Sequence, residues 1–98
     1  MKVWIKVMDK DKIRNDVLLE FPDTKYFTLP EFKKLMQDVS YKLDISTPVI
    51  LKSHYDHFMK FNRVKFLPRD FIESVDFTHV VAEMGFERKD RKIEDYTF

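Results

Sequence analysis

His54 and His57 stand three positions apart in KSHYDHFMKFNRVKF, residues 52 to 66. On a helix that spacing puts both imidazoles on one face, where Asp56 or the remote His79 would complete a metal site. On a strand the two side chains point to opposite sides and the site does not form. The longer H-E-x-x-H pattern is absent, and a chain without cysteine adds no thiolate ligand. Metal binding through His54 and His57 is therefore the third of three readings of this stretch.

The same residues interleave aromatic rings with positive charge. Phe58, Phe61 and Phe66 alternate with Lys60, Arg63 and Lys65, and Lys52 and Arg69 flank them. Rings that stack on bases beside cations that neutralise phosphates are the means by which single-stranded nucleic acids are held. KFNRVKF lacks the glycine and small residue of the RNA-recognition signature. Phenylalanines at this density in a small chain also serve the core. The candidate binding residues for a protein or nucleic-acid partner are Lys52, Phe58, Lys60, Phe61, Arg63, Lys65 and Arg69.

Acid and base side chains for catalysis exist in His54, Asp56, His57 and His79, but such work requires convergence in a pocket. The serines at 40, 46, 53 and 74 sit in no nucleophile-elbow pattern. No catalytic residue is assigned, and a non-enzymatic protein is expected.

Composition limits the alternatives. The 98 residues suit one domain, and 44% apolar with 15% aromatic residues suffice for one core beneath a 36% charged exterior. Gly85 is the only glycine. Loops that cradle phosphates need glycine where backbone amides approach the ligand, so neither the P-loop nor the dinucleotide fingerprint can be written and no nucleotide cofactor is expected. Without cysteine, a disulfide framework is excluded and a reducing compartment is implied. No apolar run reaches membrane-span length, and lysines interrupt the first ten residues where a signal peptide would be continuously apolar. A cytoplasmic protein is the expectation.

The elements that must position these residues follow from periodicity. Residues 2 to 8, KVWIKVM, alternate as a strand with Val3, Ile5 and Val7 on one side and Lys2, Trp4, Lys6 and Met8 on the other. A polar run to residue 16 and the apolar VLLEF at 17 to 21 predict a hairpin with a loop longer than two residues. Thr28 with Glu31 forms a capping box, and Pro30 falls where a helix tolerates it. Phe32, Leu35, Met36, Val39 and Leu43 then make one apolar stripe, giving an amphipathic helix over about 28 to 44. Residues 49 to 51 read as a buried strand opening. A short helix or turn at 53 to 60 with a strand at 63 to 67 is favoured over one strand in which Phe58, Lys60, Asn62, Val64 and Phe66 alternate, and a short helix or turn at 68 to 74 and a last strand at 77 to 84 complete the order. Ser53 with Asp56 is the candidate cap for the second helix. This is an α+β fold, an antiparallel or mixed sheet with one main helix across a face. Residues 1 to 86 form the domain and 87 to 98 a charged, loosely held tail.

Charge is segregated along the chain. Residues 52 to 69 hold five basic and one acidic side chain, and residues 70 to 86 hold four acidic and no basic ones. The first explanation is that the segments pair as adjacent antiparallel strands with opposite charges across from one another. The other is that the basic segment faces a partner. Trp4 and Met8, opposite the Val3 stripe, form a candidate apolar surface to be covered by the 53 to 74 region or by a second copy. The leading functional expectation is a small interaction or regulatory module that binds another protein or itself as a homodimer. Single-stranded nucleic-acid binding is the alternative.

Overall fold

The computed structural model describes residues 2–21 and 28–85. Strand β1 (Lys2–Asp9), strand β2 (Lys12–Glu20), helix α1 (Leu29–Lys42), helix α2 (Lys52–Phe61), strand β3 (Arg63–Phe66), a 3-10 turn (Pro68–Asp70) and strand β4 (His79–Met84) follow in order. The strands form one fully antiparallel sheet in the order β2-β1-β4-β3. The fold is α+β, and no strand of the described sheet runs parallel. The charged segment 87 to 98 lies outside the described residues. No helix among the described residues is long and apolar enough to cross a membrane.

Alternation decides which face is covered. Val3 stands opposite Leu19 and Met84, Ile5 opposite Val17 and Ala82, and Val64 opposite Ala82. These residues share one core cluster with Phe32, Leu35, Met36, Val39 and Leu43 of the main helix region and Phe58 of α2. Both helices thus cover one face. The Phe32 ring lies 4.8 Å from that of Phe58 and 6.5 Å from that of Phe66. Burying such large side chains supplies the main driving force for the fold.

Helix α1 begins as the capping signal requires. Thr28 Oγ1 accepts from the Glu31 amide at 3.3 Å, and Glu31 Oε1 accepts from the Thr28 amide at 2.8 Å. Those hydrogen bonds hold the Glu31 carboxyl below its ordinary value.

Three expectations are corrected. The β1–β2 connection is two residues long, because Asp9 already pairs with Lys12. Lys10 adopts a left-handed backbone (φ 58) without being glycine, and Thr78 holds the turn from across the fold. Its Oγ1 accepts from the Lys10 amide at 2.8 Å and donates to the Met8 carbonyl at 2.9 Å. A bulge follows, since Val7 faces Asn15 while Met8 faces Ile13, leaving Arg14 as the extra residue. Residues 49 to 51 are not a strand. Val49 is 42% and Leu51 52% exposed, and the segment is tied down by the Val49 amide donating to the Asp70 carbonyl at 2.7 Å. Finally, the rings of the 53 to 74 region expected against Trp4 lie elsewhere, because Phe58, Phe66 and Phe71 pack into the core on the other face of the sheet.

Candidate functional site

Helix α2 starts two residues earlier than a Ser53 cap implies. Leu51 is the N-cap and has no side-chain acceptor, so only the reciprocal half of a capping box forms. His54 Nδ1 accepts from the Leu51 amide at 3.0 Å. That acceptor role leaves the proton on Nε2, which faces Asp70 Oδ1 at 3.5 Å. The His54 ring also lies 4.8 Å from the Phe66 ring. His57 plays the opposite part: its Nδ1 meets the Arg63 carbonyl at 2.7 Å, so the imidazole donates there. Each histidine has its tautomer set by a backbone group.

These roles displace the metal reading. The two histidines share a helix, as their spacing allows, but His54 uses both ring nitrogens within the fold. His79 does not join them, because it stands opposite Met8 on the face of the sheet away from the helices. No group of three or more histidine or acidic side chains that could hold a metal ion exists among the described residues.

The helix ends at Asn62, whose left-handed conformation (φ 58) turns the chain straight into β3. Among the described residues strand β3 is an edge strand, paired only with β4. Val64 and Phe66 point into the core, and Arg63 and Lys65 point outward on the opposite face, both exposed. Lys60 is exposed at the end of α2, with Nζ 5.3 Å from the centre of the Phe61 ring, and Phe61 is itself 57% exposed. The His57 ring lies 4.7 Å from Phe61.

The expected charge pairing is half right. Strands β3 and β4 are adjacent and antiparallel, with Arg63 across from Glu83. Yet Glu83 receives Lys6 Nζ from β1 in a largely buried ion pair. Asp76 pairs with Arg14 at 2.8 Å, and the guanidinium hydrogen bond holds its carboxyl below the usual carboxylate range. Glu73 accepts from Ser46 Oγ at 3.4 Å. Asp70 Oδ2 accepts from the Leu67 amide at 2.8 Å. Lys52 turns back to Asp56 on its own helix at 2.7 Å. Among the described residues no ion pair involves Lys60, Arg63, Lys65 or Arg69, all four of which are exposed. Burial, with Lys65, Arg63 and Lys6 adding positive potential, pulls the His79 pKa below its ordinary value.

Other candidates fall differently. Phe58 is fully buried beside Phe32 and cannot touch a partner, and Phe66 is equally enclosed. Trp4 is 8% exposed, its indole N–H donates to Asp16 at 2.7 Å, and Lys6 Nζ lies 4.1 Å from its ring centre. It offers little of the apolar surface expected of it, and Met8 is half-buried. Sequence reasoning passed over Tyr41 and Ile72, which are 88% and 89% exposed. Tyr41 falls outside the apolar stripe of α1, a signal that was legible; Ile72 lies in irregular chain, where periodicity is silent. Comparison with protein-family models, with curated proteins and with solved structures finds no match to this chain.

Proposed function

We propose that this protein is a non-enzymatic, cytoplasmic interaction module of a regulatory kind, engaging an acidic surface of a partner protein through Lys60, Arg63, Lys65 and Arg69. One observation carries this reading. Every carboxylate of the following acidic segment is engaged away from these four cations, by His54 and the Leu67 amide, by Ser46, by Arg14 or by Lys6. Positive charge left uncompensated on one edge attracts and orients an acidic partner. Self-association is the variant in which a second copy supplies the acid.

Single-stranded nucleic acid is the second reading, favoured by the open Phe61 ring beside Lys60. It ranks lower because only Phe61 of the three candidate rings is accessible, and binding to single strands draws on several stacked bases. Titration of the labelled protein with a polyglutamate peptide and with a short oligothymidine, each at low and raised salt, separates the two. The variant K60A/R63A/K65A is expected to bind the acidic peptide roughly tenfold more weakly, from about 0.5 kcal/mol per exposed charge. Indifference to the triple change refutes both readings.

A further inference from the structure

We propose that the outer edge of β3 is a strand-addition site for an extended acidic peptide, centred on the backbone N–H and C=O of Lys65. The inference rests on the acidic-partner reading above and specifies how that partner is held.

The phase of the ladder shows which backbone groups are open. The Met84 amide donates to the Asn62 carbonyl at 2.8 Å, which makes the 62/84 pair a hydrogen-bonded one. In an antiparallel ladder the hydrogen-bonded pairs recur at every second residue. Val64 opposite Ala82 and Phe66 opposite Val80 therefore spend their backbone groups on β4. Arg63 and Lys65 direct theirs away from the sheet.

Side chains close this edge at both ends. His57 Nδ1 occupies the Arg63 carbonyl at 2.7 Å, and Asp70 Oδ2 occupies the Leu67 amide at 2.8 Å. Among the described residues, the groups left open between these stops are the Arg63 N–H, the Lys65 N–H and the Lys65 C=O. An unpaired edge is a template for another strand, and stops that leave so short a window fix the register of whatever pairs there.

Charge selects the occupant. Residues of an added strand that stand opposite Arg63 and Lys65 place their side chains on the same face as those two cations, where opposite charges attract and like charges repel. A second copy's β3 would set Arg63 and Lys65 against their own equivalents. An extended segment with acidic residues at alternate positions matches instead, and Lys60 at the end of α2 extends the positive rim. The sheet's other edge, β2, mixes Arg14, Asp16 and Glu20 and has no such uniform sign.

The test uses the full chain and three peptides. The first is acetyl-Glu-Val-Glu-Val-Glu-amide, the second has its central glutamate nitrogen methylated, and the third has its valine nitrogens methylated. In strand addition the glutamate amides face β3 and the valine amides face away. The first and third peptides are expected to shift the Arg63 and Lys65 amide resonances in a nitrogen-correlated NMR titration. The second is expected to bind at least about tenfold more weakly, since it loses a hydrogen bond and brings a methyl group to the edge. Equal binding of all three, abolished by R63E/K65E, overturns strand addition and leaves the charged-surface reading standing. No shift with any peptide overturns both, as does a shift seen only with a short oligothymidine. Edge-to-edge dimerisation of the chain, seen by sedimentation and broken by R63E/K65E, overturns the acidic-peptide assignment.

Discussion

Replacing Asp70 by alanine tests the link between the helix α2 start and the end of β3. Asp70 Oδ2 accepts from the Leu67 amide at 2.8 Å, while Oδ1 stands 3.5 Å from His54 Nε2, and both side chains are mostly buried. The first contact has good hydrogen-bond length and works as an end cap, worth about 1 kcal/mol. The second is too long for a strong bond, but its removal leaves a half-buried imidazole N–H without an acceptor, at about 1 kcal/mol. D70A should therefore cost about 2 kcal/mol and lower Tm by roughly 10 °C for a domain of this size. D70N keeps an acceptor for Leu67 but makes the bond neutral, so it should cost about half as much. A double-mutant cycle with H54A should give a coupling of about 1 kcal/mol, the half of the D70A cost that runs through the imidazole. Urea unfolding at constant m measures all of these values. A D70A cost under about 0.5 kcal/mol, or a D70N cost equal to it, would refute this division of roles. D70A also frees the Leu67 amide, so binding of the unmethylated acidic peptide should strengthen even as the fold weakens.

Two further outcomes are expected. F58A removes a fully buried ring stacked on Phe32 and should cost about 3 to 5 kcal/mol by chemical denaturation, against about 1 to 1.5 kcal/mol for F58L; a cost of F58A below about 1.5 kcal/mol would show that α2 is not an integral part of the core. His79 has its pKa held below the ordinary 6.5 in the folded chain, so the unfolded chain takes the proton first as pH falls. Stability is therefore full above 6.5 and declines on acidification below it, and H79Q should flatten that part of the urea-midpoint profile. An unchanged slope in H79Q assigns the decline to other groups.

The boundary of α1 was readable almost to the residue because its signals are local. Thr28 and Glu31 satisfy each other across three positions, and the stripe from Phe32 to Leu43 faces whatever sheet is present. The α2–β3 junction was only half legible: RVKF alternates on its own, but the same alternation runs back to Phe58, and the left-handed Asn62 is what separates helix from strand. The two-residue hairpin was not legible. A lysine in a left-handed conformation is locally unfavourable by about 1 to 2 kcal/mol, and its support from Thr78 lies 68 residues away. Residues 49 to 51 looked like a strand by composition, yet the Val49 amide is spent on the Asp70 carbonyl in the turn beyond β3 and the segment joins no ladder among the described residues.

The sequence by itself determined the α+β class, the covered face of the sheet and the concentration of cations between residues 52 and 69, because periodicity and capping act over a few positions. Which of those cations have no ion-pair partner among the described residues was decided only by the tertiary structure. Asp76 reaches Arg14 at a separation of 62 residues and Glu83 reaches Lys6 at 77, choices that depend on the order of strands in the sheet. The role of the histidines was decided in the same way. Spacing put His54 and His57 on one helical face, but packing of that helix beside β3 turned one imidazole to a helix start and the other to a strand edge.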